Sequence, residues 1–229
     1  MKNLVLICIL LMNTCSFAQI YSANSYLTDF NGTMVKPSND NRVMGTPYLV
    51  DEWCKGQITN TDGKQFELEK MKFNVFQNRI EYEIKGNVYE PAIPYRSFKI
   101  SQPNGDGTFQ TRSFTAGFSP IDGNDTRTFY EVIYNGNAKL LKLIKVVTSE
   151  YAEPLSINRV LRFRQVFSLY FFHPEKRELI KVGTKRDEII PLFIGKEQEM
   201  REFIKKEKTK RNVNEADLVI LCKYYDDLL

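Results

Sequence analysis

The chain has 229 residues, with 32 Lys and Arg against 28 Asp and Glu, one His, 42% hydrophobic and 26% charged residues. That length and balance allow a full apolar core and point away from both a disordered polymer and a membrane-embedded body. A formal charge of +4, one less without Lys2, is too small and too evenly mixed with acids to point to nucleic acid.

Residues 1–18 read as a cleavable secretory signal peptide. Lys2 gives the positive start, Leu4 to Met12 is unbroken apolar chain, and Ser16-Phe17-Ala18 places small residues where a signal peptidase inspects, so cleavage falls between Ala18 and Gln19. The apolar run ends at Asn13, short of the ~20 residues that a membrane span requires. Met12-Asn13-Thr14 before Cys15 lacks the residues a lipid-attachment site favours. Export places the mature chain in the periplasm, on the cell surface or in the medium. It also leaves Cys54 and Cys222 as the cysteines able to pair. A bridge between them would contribute about 4 kcal/mol if unstrained; the alternative is two separate buried thiols.

Residues 19–47, rich in Ser, Asn, Thr and Gly, predict an extended arm. Residues 48–183 carry the period of two that marks strands. Thr61-Asp62-Gly63 turns between two runs, the second of which changes phase: Phe66 and Leu68 point one way, Met71, Phe73 and Val75 the other. The slip predicts a bulge or bend at Glu69-Lys70. Ile80, Tyr82 and Ile84 alternate with charge, Pro91 and Pro94 keep the next stretch out of a central strand, and Pro103 to Gly107 reverses the chain into Thr108 to Phe114.

Thr128 to Tyr134, Asn135-Gly136 and Ala138 to Thr148 predict a hairpin with a tight two-residue turn, central and covered on both faces. Lys139 to Val147 has the charge of a membrane-surface helix, but its β-branched end and its place after a turn favour strand. Leu161 to Phe172 is a long aromatic strand, and His173 to Lys176 turns it into Glu178 to Val182.

Residues 184–229 change to helical period. Thr184 and Asp187 resemble a capping box for a short helix ending near Pro191. Lys196 to Lys208 turns Met200, Phe203 and Ile204 inward. Asn214 caps a last helix striped with Leu218, Leu221, Cys222, Tyr225 and Leu228. The expected fold is α+β, mainly β: one globular domain with a curved antiparallel meander, up to a half-barrel, and two or three C-terminal helices packed on it.

Chemistry is constrained by counting. A single histidine, His173, read as a solvated turn residue, leaves almost no material for a zinc site or a nucleophile–histidine pair. Asp51-Glu52, Asp122 with Asp125, and Asp226-Asp227 are the local acidic pairs available to a carboxylate hydrolase. Asp226-Asp227 at a helix C-terminus reads as an exposed tail or a mark for a basic partner. Asn104 to Gly107 and Asp122 to Asp125 are turns rather than calcium loops, and Lys205 to Arg211 is a solvated basic face. No catalytic residue, ligand-binding residue, metal or cofactor is singled out.

Gly45-Thr46-Pro47-Tyr48-Leu49-Val50-Asp51-Glu52-Trp53, with Gly56, Gly63 and Met71 to Asn74 after it, joins a chain ending of Asp217-Leu218 and Tyr224-Tyr225-Asp226-Asp227-Leu228. Together these resemble uncharacterised secreted β-meander proteins of the Bacteroidota type. The resemblance implies export and a β fold and brings no activity; Tyr48, Trp53 and Tyr225 are the residues it marks, with packing as their expected role. The sequence therefore favours a non-catalytic extracytoplasmic binding or interaction module, whose partner is a protein or a hydrophobic small molecule. Two alternatives stand beside it: a carrier holding a lipid or other hydrophobic ligand in the curved sheet, and a carboxylate hydrolase.

Overall fold

The computed structural model describes residues 20–22, 32–34, 43–152, 159–207 and 209–229. The expected leader, its cleavage point at Ala18 and Gln19, and most of the expected arm lie outside the described residues. From the arm, three short strands join the sheet: β1 (Ile20–Ser22), β2 (Gly32–Met34) and β3 (Val43–Met44).

The body of the sheet follows as β4 (Cys54–Asn60), β5 (Gln65–Asn74), β6 (Arg79–Ile84), β7 (Asn87–Pro91), β8 (Tyr95–Pro103) and β9 (Phe109–Thr115). It continues through β10 (Tyr130–Asn135), β11 (Lys139–Ala152), β12 (Arg159–His173) and β13 (Glu178–Lys181). Across the sheet the order is β13-β12-β11-β10-β9-β8-β4-β5-β6-β7-β2, and the fold is mainly antiparallel β, as expected. β1 lies parallel to β5 and β3 parallel to β12. One step departs from a simple meander: β8 pairs with β4 rather than with β7, so the hairpins β4 to β7 run out on one side of β4 and the later strands on the other.

The phase change in β5 is a bulge. Cys54 faces Met71 while Gly56 faces Leu68, and the extra residue falls at Glu69-Lys70, both exposed. It also divides β5 between neighbours, because residues before it pair with β1 and residues after it pair with β6. At Gly56 there is no room for a side chain: a Cβ would meet the Lys99 carbonyl at 2.8 Å.

The sheet curls without closing. Val146 of β11 and Phe163 of β12 pack on the cluster built by β4, β5, β6, β8 and β9, although several strands separate them along the sheet. Only curvature brings them together. The approach is fastened by Gln165, whose amide donates to the carbonyls of Tyr48 at 2.9 Å and Leu49 at 3.0 Å, and by the Phe76 and Phe163 rings at 5.3 Å. Inside the curl, Phe98 meets Phe73 at 4.9 Å, Phe114 at 4.7 Å and Phe129 at 5.1 Å. Each such ring contributes roughly 1.5–3 kcal/mol by burial, with something further from the ring geometry.

Among the described residues three α-helices follow: α1 (Arg186–Ile189), α2 (Glu197–Lys206) and α3 (Glu215–Asp227). They cover the end of the β10–β12 face through Leu140 and Phe171. The opposite face of these strands buries Tyr130, Leu141 and Tyr170 beneath the connection between β9 and β10, so the β10–β11 hairpin is covered on both sides. Asn214 caps α3, accepting the Asp217 N–H at 2.8 Å. Leu218, Leu221, Cys222 and Tyr225 form the buried stripe.

Two local expectations are corrected. Asn135 pairs with Lys139, so the loop runs from Gly136 to Ala138, and neither Asn135 nor Gly136 takes a positive φ; a contact from α3, rather than turn preference, shapes it. The first helix begins at Arg186, and the side chain that reaches back to the Lys185 N–H is Glu188, at 3.3 Å, not Asp187.

Candidate functional site

The curl leaves a seam. Along it runs a groove of about 1370 Å³ between the β5–β6 turn, the β7–β8 connection, the loop from Ala116 to Phe129, and Leu143 to Val146 of β11. Its floor is apolar and aromatic: Phe76, Ile93, Tyr95 and Phe129. Tyr95 and Phe129 stack at 5.4 Å with their planes 9° apart. The Tyr95 hydroxyl accepts the Ile80 N–H at 2.9 Å, and burial pushes its pKa up to about 12, so it stays neutral.

Charge stands at the rim. Arg79 donates to Glu81 at 3.0 Å and to Glu90 at 3.1 Å, which fixes its guanidinium plane. Arg127 is held to Asp125 at 3.0 Å, whereas Arg96 and Lys145 line the groove without a direct ion pair among the described residues, the Lys145 charge acting on Asp122 only through space. The arrangement pairs flat apolar surface with cations, a combination suited to a ligand having both a planar apolar part and an anionic group.

One residue holds the two walls together. Asn78 adopts φ +53° in the β5–β6 turn, where Asn tolerates the left-handed region. Its side chain donates to the Arg127 carbonyl at 3.0 Å and accepts the Phe129 N–H at 3.2 Å. The loop is also braced from within by the Gly117 N–H on the Thr126 carbonyl at 2.8 Å. Asp122 braces it from below, accepting from Tyr170 at 2.9 Å and Lys181 at 3.2 Å. These donors hold the Asp122 carboxyl below the usual range.

The residues singled out in the sequence scatter. Cys54 and Cys222 are free buried thiols in different core clusters, Cys54 with the β4–β9 core and Cys222 beneath the helices. Asp51 accepts from Thr46 at 2.8 Å, Asp125 is taken by Arg127, and Asp106 serves its own turn through Thr108. The acidic pairs therefore do not converge. Asp226 is not an exposed tail: it is bound by the β10–β11 loop. Tyr48 donates to the buried Glu81 at 2.9 Å, and Lys72 lies over both Tyr48 and Trp53 at 4.9 and 4.8 Å.

His173 overturns its reading as a solvated turn residue, since it is fully buried. Its Nδ1 accepts the Lys176 N–H at 3.3 Å, which puts the ring proton on Nε2, 3.5 Å from the Tyr225 hydroxyl. Tyr225 in turn donates to the Ile194 carbonyl at 3.3 Å. The histidine thus ties the β12–β13 turn to the helical layer.

Two buried carboxylates were not singled out. Glu81 accepts from Tyr48, Asn74 and Arg79, and Glu131 takes both arms of the Arg112 fork at 2.7 Å each. Their signal was faint: a Glu at an inward position of a strand that otherwise alternates, with an Arg on the same strand or elsewhere in the sheet. Among the described residues no three His, Cys, Asp or Glu side chains gather as a metal would require, and no helix is long and apolar enough to cross a membrane.

No family model matches the chain, and no curated protein or solved structure matches it either.

Proposed function

We propose that this chain is an exported binding module, acting without chemistry of its own, and that the seam groove is its ligand seat. The observation that carries the reading is the braced aromatic floor with cations above it. Phe76, Tyr95 and Phe129 offer flat apolar surface, Arg96 and Lys145 offer positive charge, and Asn78 fixes the distance between the walls. A site fixed before binding loses little entropy on binding, as a recognition site should. The start of the chain, from Lys2 through Ala18-Gln19, supports action outside the cytoplasm. A carrier that encloses its ligand inside the curl draws less support, because Phe73, Phe98, Phe114 and Phe129 already fill that space.

The test is a ligand-observed NMR screen of the processed protein against aromatic carboxylates, their neutral amides and saturated fatty acids. Aromatic carboxylates are expected to bind, and to bind about tenfold more weakly to Arg96→Ala or Phe76→Ala, the loss of one ion pair or one ring face. Preference for fatty acids would move the reading to a carrier. Turnover of a glycan or ester panel, lost on neutralising one acid, would move it to a hydrolase.

A further inference from the structure

A second groove of about 820 Å³ lies between the outer face of β4, β8 and β9 and the tips of the β10–β11 and β12–β13 hairpins. It exists because β10 soon leaves its neighbour: only Tyr130 and Glu131 pair with β9, opposite Thr115 and Phe114, and the rest of β10 parts from it. Its charge is one-sided. Arg96, Lys99, Lys139 and Arg177 line it, and among the described lining residues there is no carboxylate. Lys139 is engaged with Asn135 and the Gly136 carbonyl, whereas Arg96, Lys99 and Arg177 pair with no carboxylate among the described residues. Two acids border this lining and both are engaged: Glu67 accepts the Gln57 amide, and Asp226 accepts the N–H groups of Asn137 and Ala138.

Between the cations the lining is amide and hydroxyl: Gln57, Thr59, Ser113, Asn135 and Asn137. Neutral donors and acceptors in a row match sugar hydroxyls, and cations spaced among them match the carboxylates or sulfates of an acidic sugar. Arg177 is presented firmly. It sits at φ +55° in the β12–β13 turn, its N–H on the His173 carbonyl at 2.9 Å, and His173 is locked into the core.

We infer that this groove binds a strand of an anionic polysaccharide. The site is separate from the seam groove, although Arg96, Ala116 and Gly117 border both. Lys99 and Arg177 belong to the second groove alone, so their substitution distinguishes the two.

The experiment is affinity electrophoresis of the processed protein through gels holding polygalacturonate, dextran sulfate or uncharged dextran, followed by titration calorimetry. Retardation is expected in one or both anionic gels and not in dextran. The double variant Lys99→Ala with Arg177→Ala should bind about tenfold more weakly. Lys205→Ala with Lys206→Ala on α2, which removes the same charge elsewhere, should bind as the parent does; melting curves of both variants check the fold. Equal weakening by the two double variants would reduce the effect to net charge and overturn the site. So would equal retardation in dextran, no retardation at all, or binding to phosphatidylglycerol vesicles in place of the polysaccharides.

Discussion

The carboxylate of Asp226, in the last turn of α3, accepts the backbone N–H of Ala138 in the β10–β11 loop at 2.9 Å. The same group accepts the Asn137 N–H and the Tyr134 hydroxyl, each at 2.9 Å. An anion at a helix C-terminus opposes the helix dipole. Three donors offset that cost and fasten the helical layer to the central hairpin. Burial, with the Asp226 contact after it, pushes Tyr134 up to about 12.

Asp226→Ala strands those three donors and is expected to cost about 2–3 kcal/mol, read as a lower urea midpoint at unchanged slope. Asp227→Ala, which removes an exposed neighbour, should stay within about 0.5 kcal/mol. Gly136→Ala should be as damaging as Asp226→Ala, because its Cβ would lie 1.7 Å from the Asp226 carboxylate oxygen. Equal urea midpoints for the parent and Asp226→Ala would remove the clamp from the account.

His173 makes stability depend on pH. Burial holds its pKa below the ordinary 6.5, so the folded chain resists a proton that the unfolded chain accepts. Stability is then fully present above about pH 6.5 and falls as the pH drops through the depressed value. Urea midpoints measured between pH 7.5 and 5 should decline, and His173→Gln should flatten that decline while lowering the midpoint at pH 7.5. A decline of the same steepness in His173→Gln would assign the effect to other groups.

Glu131 and Arg112 form a fork-on-fork pair whose side chains are only 9% and 16% exposed. Breaking such a pair from one side leaves a charge buried alone, at a cost of about 3–5 kcal/mol. Arg112→Met should therefore be severely destabilising, and Arg112→Met with Glu131→Leu much less so. A double-mutant cycle by chemical denaturation measures the difference, and simple additivity would contradict the coupling.

Much of this fold was legible in local pattern. Period-two runs marked the strands, and the phase slip between Leu68 and Met71 marked a bulge or bend, because an extra residue swaps the faces of everything after it. Asn214 and its apolar stripe marked α3 for the same reason of period. What stayed illegible depends on partners distant in sequence. Nothing near Tyr95 says that β8 will choose β4 over β7. Nothing near Asn78 says that its amide will meet Arg127 and Phe129. His173 looked solvated because its neighbours Pro174, Glu175 and Lys176 are turn residues, while Tyr225, against which it packs, comes some fifty residues later. The seam groove inherits this limit, being made where four separate segments meet.

The thiols give a direct chemical check. Cys54 and Cys222 are free, buried and in separate clusters, and burial raises both, Cys222 to about 12. The protein without residues 1–18, which carry Cys8 and Cys15, should react slowly with a thiol reagent when folded and yield two equivalents on unfolding, with no change of midpoint under reductant. A mass two hydrogens lighter under non-reducing conditions would place a bridge where none is drawn.

Asn78 decides whether the seam groove is fixed in advance. Asn78→Gly keeps the left-handed backbone at no steric cost yet deletes the two side-chain bonds to the loop, about 1 kcal/mol each. Unfolding free energy should fall by roughly 1–2 kcal/mol, and amides between Gly117 and Thr128 should exchange faster. Lys85→Gly is the matched control. Lys85 holds φ +51° in the exposed β6–β7 turn, so glycine there relieves backbone strain and removes no brace, and stability should hold or rise. If both variants leave the loop's exchange unchanged, the loop is held by the Asp122 and Gly117 contacts alone, and the groove owes its shape to the floor of the fold rather than to Asn78.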